Sequence, residues 1–182
     1  MPRLKTQKKI ISATDAVRLA FGAKHFFTEQ YVPSEILHEN RLLHLQLGAD
    51  NTEEVELELP NGWLVKGVPD KILEDGVVEV KIQRPLSRAK ELIVEAAYQG
   101  LIYATALGFE KVEVWLLNYT SGEVTTYNFT PQDLKEVQFF QALQHNLGLI
   151  EQMKSYYSTA QQITPTSQGE NKLAMKRVKH ID

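Results

Sequence analysis

The chain has 182 residues, 43% of them hydrophobic and none of them cysteine, and a net charge of −3 from 20 bases and 23 acids. This is enough chain for one domain with a core and too little for two; the lack of cysteine excludes disulfides, thiolate zinc sites, iron–sulfur clusters and cysteine nucleophiles, so any metal must take oxygen or histidine ligands. No apolar run approaches the roughly 20 residues that span a bilayer, and Met1-Pro-Arg-Leu-Lys-Thr-Gln-Lys-Lys lacks the apolar stretch of a signal peptide, which predicts an intracellular, cytoplasmic protein with no membrane partner.

In chain order, residues 1–12 hold Arg3, Lys5, Lys8 and Lys9 without an acid, and are expected to form a basic arm. Ser12-Ala-Thr-Asp15 resembles a capping box and predicts a first helix from about residue 13 to the mid-20s. Pro33-Ser34-Glu35 starts a second helix, with Ser34 as N-cap and Ile36, Leu37, Leu43 and Leu47 as its apolar positions, ending near Gly48. From Glu53 the pattern alternates: Val55, Leu57 and Leu59 are separated by Glu54, Glu56 and Glu58, as in a half-buried strand. Pro60-Asn61-Gly62 is a turn, Trp63–Leu73 a second strand, Glu74-Asp75-Gly76 a tight turn and Val77–Gln83 a third strand, giving a three-stranded antiparallel meander.

Helical spacing returns from Arg88 to Leu107, with Leu92, Ile93, Ala96, Ala97, Gly100, Tyr103, Ala104 and Leu107 on one broad face and Gly108 at the end. Lys111–Tyr119 and Glu123–Phe129 read as a pair of strands around Ser121-Gly122. Thr130-Pro131 then opens a last helix into the 150s, with Thr130 as N-cap. Its segment Val137–Ile150 serves the core or a partner in a homodimer equally well. From Ser158 the chain is polar and aperiodic, and Lys172, Lys176, Arg177 and Lys179 make the end basic. Removing the bases and acids of the two ends, residues 1–12 and 171–182, leaves 12 bases against 22 acids, so the body carries about −10. The expected organisation is an arm (1–12), one domain (13–157) and a basic tail (158–182). The expected fold is mixed α/β: a central mixed sheet of about five strands flanked by helices, the long helix after the meander being a crossover.

The chemistry gathers on the hairpin. If its turn centres on Glu74-Asp75, residues whose numbers sum to about 149 lie opposite one another, which sets Asp70 across from Glu79. Carboxylates directly opposed across a ladder repel, so a cation is expected between them. Lys81 lies on the same strand face as Glu79, while Val78, Val80 and Ile82 point to the other. Two carboxylates suit Mg²⁺ or Mn²⁺, and an adjacent ammonium can orient an attacking water and offset charge growing on a phosphoryl group.

Gly67-Val-Pro69-Asp70, followed by eight residues and then Glu79-Val80-Lys81, resembles the signature of the PD-(D/E)XK nuclease superfamily. Gln99-x-x-x-Tyr103 on the following helix is similar to the motif of its RecB-type members, including the CRISPR-adaptation nucleases. Asn40-Arg41-Leu-Leu-His44 is similar to their upstream histidine motif without its glycine. The resemblance covers roughly residues 36–120 and departs from the CRISPR group in lacking the cluster cysteines. It implies a restriction-endonuclease-like core and metal-dependent hydrolysis of DNA phosphodiesters. Asp70, Glu79, the Val80 carbonyl and His44 would then hold the metal, Lys81 would act on the attacking water, and Gln99 and Tyr103 would orient Lys81 and the DNA strand. His38 is the alternative to His44; six residues turn the helix by about 240°, so the two cannot face one site. A RecB-like exonuclease is the first expectation, with a dimeric Holliday-junction resolvase or a non-catalytic DNA-binding subunit as alternatives. His25 reads as a helix-surface or interfacial residue.

Overall fold

The computed structural model describes residues 9–22 and 32–163. The arm residues Arg3, Lys5 and Lys8, His25 and the basic residues of the tail lie outside the described residues. The chain divides into two units, Met1–Asn146 and Leu147–Asp182. No described helix is long and apolar enough to cross a membrane.

The first unit opens with a short strand, β1 (Ile10–Ser12), which the sequence pattern did not reveal, and runs directly into α1 (Ala13–Ala20). Ser12 caps α1 as expected, its Oγ accepting from the Asp15 N–H at 3.1 Å. α2 (Ser34–Gln46) has Pro33 rather than Ser34 at its N-cap and no capping side chain. The chain continues with β2 (Val55–Glu58) and β3 (Leu64–Gly67), then β4 (Lys71–Ile72), β5 (Gly76–Gln83), α3 (Ala89–Leu107), β6 (Lys111–Asn118), β7 (Val124–Phe129) and α4 (Glu136–Ile163).

The mixed α/β class is as expected, with the strands shared between two mixed sheets, in the orders β1-β3-β2 and β4-β5-β6-β7. The meander is not continuous: the expected Trp63–Leu73 strand breaks at Val68-Pro69-Asp70 into β3 and β4, which belong to different sheets. Pro69 has no N–H to give a ladder and restricts the residue before it. The carbonyls it frees are taken by Asn51, whose Nδ2 donates to Pro69 O at 2.8 Å and whose N–H donates to Asp70 O at 3.2 Å. β4 and β5 then pair antiparallel with Lys71 opposite Val78 and Ile72 opposite Val77, the register expected from the turn, and Leu73 N–H closes that turn on Gly76 O at 2.8 Å.

α3 is the crossover that makes β5 and β6 parallel neighbours, with Glu79 level with Val114 and Lys81 level with Leu116. It lies against both of those strands and reaches β2 and α1 as well. Small residues at Ala96, Ala97, Gly100 and Ala104 let it approach closely, and at Gly100 a Cβ would overlap Val112 Cγ1. The other face of β5 is also covered, Val78 and Val80 packing with Ala49, Leu47, Leu73 and Trp115. The charged face of β5 is therefore the inner one, roofed by α3, and not an open surface.

Thr130 and Asp133 exchange hydrogen bonds, Thr130 N–H to Asp133 Oδ2 at 2.8 Å and Asp133 N–H to Thr130 Oγ1 at 3.2 Å, but they close a separate turn. Lys135 then takes φ of 48°, and α4 starts only at Glu136, six residues beyond the expected cap. The helix continues through Ile163, past the Ser158 where composition predicts a linker, and the Ser158 and Thr159 hydroxyls bond back to the carbonyls of Lys154 and Ser155, each at 3.0 Å.

Candidate active site

The break at Val68-Pro69 turns the Asp70 side chain toward β5, where two reciprocal bonds lock it. Asp70 Oδ2 accepts from the Val80 N–H at 2.7 Å, and the Asp70 N–H donates to Glu79 Oε1 at 3.2 Å. The two carboxylates thus stand side by side, each with one oxygen on a backbone amide and one left over. Glu79 is only 5% exposed. Burial first, and then the neighbouring Asp70 charge, push its carboxyl well above the usual range, with Lys81 opposing.

His44 reaches the pair from α2. Its Nδ1 is 2.7 Å from the Asn40 carbonyl, which can only accept, so that nitrogen carries the proton. Nε2 is thereby aimed at Asp70 Oδ2, 3.6 Å away. The Asp70 carboxylate holds His44 above its ordinary pKa against the opposing effect of burial, and the Val80 backbone acts in the same direction. The bare geometry asks for a positive charge between Nε2 and the carboxylate, either a proton or a cation. His38, by contrast, is exposed on α2.

α2 fully buries none of its residues, and polar contacts at the end of β5 help to hold it. Arg84 donates to Glu39 Oε2 at 3.2 Å and to Asn40 Oδ1 at 2.9 Å and lies 4.2 Å from the Tyr119 ring centroid, while Tyr119 donates to Glu39. The same Asn40 that orients His44 is thus tied to the strand bearing Glu79.

Lys81 meets a residue to which the motif assigns no role. Its Nζ is 3.1 Å from Glu95 Oε1, and Glu95 Oε2 is 3.9 Å from Arg18 on α1. Gln99, expected to orient Lys81, instead donates from Nε2 to Thr14 Oγ1 at 2.9 Å and fastens α3 to α1. The spacing of four that groups Glu95, Gln99 and Tyr103 on one face was the available signal for Glu95; nothing local marked Thr14 or Arg18. Tyr103 is buried, its hydroxyl set so close to Gly67 that a Cβ there would overlap it. Burial, with the Glu79 and Asp70 charges, raises its pKa and keeps it a neutral phenol.

Asp70, Glu79, Lys81, His44, Gln99 and Tyr103 all line one cleft of about 380 Å³, together with Val80 and Thr14. Among the described residues no group of three or more His, Asp or Glu side chains is arranged to hold a metal ion. The donor set nevertheless fits a hard divalent cation: two adjacent carboxylates with spare oxygens, one buried and unfavourably charged, and an imidazole nitrogen fixed in its ligating tautomer.

No protein-family model matches the chain, and no curated protein matches it. Among solved structures, the chain resembles the crystal structure of SSO0001 at 22% identity, covering 79% of this chain and 77% of that one, with a TM-score of 0.57. It also resembles the alkaline exonuclease LHK-Exo from Laribacter hongkongensis at 12% identity, covering 85% of this chain and 94% of that one, with a TM-score of 0.51. The chain therefore has a nuclease-like fold.

Proposed function

We propose that the chain is a divalent-metal-dependent deoxyribonuclease of the RecB-like exonuclease type. The observation that carries this reading is the buried Glu79 carboxylate set beside Asp70 with Lys81 in the same cleft. A purely structural pair of this kind would be destabilising, whereas a cation between the two makes it favourable. The exonuclease type rests on the resemblance of Gln99-x-x-x-Tyr103 and agrees with a fold shared with an exonuclease.

Asp70 and Glu79, with His44 Nε2 and the Val80 carbonyl, would hold Mg²⁺ or Mn²⁺. The bound ion would supply electrophilic stabilisation of a phosphoryl oxygen and lower the pKa of a water. Lys81, held by Glu95, is positioned to orient the attacking water and to offset charge on the phosphoryl oxygens. Tyr103 braces the end of β3 that delivers Pro69-Asp70, and Gln99 braces α1 against α3.

Mn²⁺ at about 100 times its Kd is expected to stabilise the fold by about 2.7 kcal/mol, roughly 5–10 °C in Tm for a chain of this size. Thermal melts of the wild type and of Asp70→Ala check this. The shift should vanish in Asp70→Ala, and a wild-type melt unmoved by either Mn²⁺ or Mg²⁺ would count against the metal site.

A further inference from the structure

We propose that Arg84, just beyond the end of β5, is a positioning residue that holds α2 where His44 can serve the metal site, and that Asn40 is the grip it uses. This inference rests on the nuclease reading above, in which His44 Nε2 is one of the ligands. The other proposed ligands belong to β5 and to the Pro69-Asp70 break beside it, whereas His44 comes from α2, whose own hold on the fold is slight. α2 fully buries none of its residues and has no side-chain cap at its N-terminus. An apolar anchor is Leu47, just past its last residue, which packs partly buried beside Val78 and Val80. A helix with so little buried surface, anchored at one end, needs a second fixed point if a ligand on it is to keep its place.

The second point is polar. Arg84 Nη2 donates to Asn40 Oδ1 at 2.9 Å and to Glu39 Oε2 at 3.2 Å. The guanidinium is itself held: it lies 4.2 Å from the Tyr119 ring centroid, Tyr119 also donates to Glu39, and the Tyr119 N–H donates to Gln83 O at 2.9 Å. Gln83 closes β5, where its pairing with β6 ends. The latch therefore ties α2 to the strand that carries Glu79 and Lys81. Asn40 has two separate tasks, one turn before His44. Its main-chain carbonyl, 2.7 Å from Nδ1, sets the ring and its tautomer within α2 wherever the helix stands. Its side chain sets where α2 stands against β5, and with it the 3.6 Å between Nε2 and Asp70 Oδ2. Asn40 is also the residue at which Asn40-Arg41-Leu-Leu-His44 departs from the histidine motif it resembles, and the glycine of that motif has no side chain for an arginine to grip. The latch thus belongs to this chain's own residues and not to the motif.

The test is calorimetric titration of the metal-free full chain with Mn²⁺ alone, beside a thermal melt of each variant in EDTA. Arg84→Ala is expected to raise the Mn²⁺ Kd about tenfold, as loss of a residue that orients a ligand does. Asn40→Ala keeps the main-chain carbonyl that faces His44 and does not weaken the helix, and is expected to raise the Kd at least about threefold. This milder variant decides the matter if the Arg84→Ala melt shows a lost fold. The critical comparison is with His44→Ala. On that background neither change should move the Kd by more than about twofold, because the latch has no ligand left to place, whereas a merely structural role would add its own loss. Unchanged Kd in both single variants, or losses that add to that of His44→Ala, would overturn the latch and leave the nuclease reading standing. Unchanged Mn²⁺ affinity with weaker binding of a labelled oligonucleotide in EDTA would overturn it too, by assigning Arg84 to the substrate. No Mn²⁺ binding by the wild type would overturn the latch and the metal-dependent reading together. The expected non-additive losses in a protein that cuts no DNA would support the latch and sink the nuclease.

Discussion

Lys81→Ala is expected to reduce metal-dependent DNA cleavage by at least about 10³-fold, since on the proposed mechanism it removes the one ammonium that, among the described residues, lines the cleft. The fold should survive. Lys81 makes one ion pair, and its partner Glu95 still has Arg18 at 3.9 Å after the change. Lys81→Arg should rescue little, because a planar guanidinium carries its charge in a different shape and does not lose its proton. Single-turnover cleavage of labelled DNA, read beside a thermal melt of each variant, separates lost chemistry from lost folding. Cleavage retained within about tenfold in a folded Lys81→Ala would remove Lys81 from the mechanism.

The second large effect is of opposite sign for stability and activity. Glu79→Gln should stabilise the metal-free protein by about 2 kcal/mol, roughly 4–8 °C in Tm, while abolishing both cleavage and the metal-induced rise in Tm. A buried ionised carboxylate beside another carboxylate is costly, and the glutamine carbonyl can still accept from the Asp70 N–H. The pH dependence follows from the raised pKa. Because folded Glu79 holds its proton more tightly than unfolded Glu79, its contribution is fully present below the ordinary value of 4.5 and is lost as pH rises through the folded value. In EDTA the wild-type melt should therefore fall away from that of Glu79→Gln as pH increases above 4.5, and parallel curves would contradict an uncompensated buried carboxylate. Asp70→Ala should gain less, since it relieves the same repulsion but strands the Val80 N–H.

Local signals carried much of the hairpin and the crossover. The tight turn at Glu74-Asp75 set the β4–β5 register, and alternation in β5 and β6 with helical spacing between them implied the parallel pair. What escaped was decided by tertiary contacts. β1 is only three residues long and exists because β3 offers Val65 and its neighbours as a parallel partner. The split into two sheets depends on Asn51 capturing the carbonyls around Pro69 from 18 residues away, which no periodicity records. The residues of the motif gather in one cleft, but their helpers do not follow from it: Glu95, rather than Gln99, meets Lys81, because α1 draws Gln99 away through Thr14. Likewise α2 has apolar positions at helical spacing yet fully buries none: Leu47 at its end packs partly buried beside Val78 and Val80, and Arg84, Glu39 and Tyr119 add polar contacts.

The most direct test of the central claim is incubation of the purified full chain with labelled linear single-stranded, linear duplex and four-way-junction DNA, in Mn²⁺, Mg²⁺ or EDTA, with Lys81→Ala alongside. The account predicts cleavage of a linear substrate with either ion, none in EDTA and none by the variant. Cleavage that persists in EDTA or in Lys81→Ala, or none of any substrate by wild-type protein that demonstrably binds Mn²⁺, would contradict it.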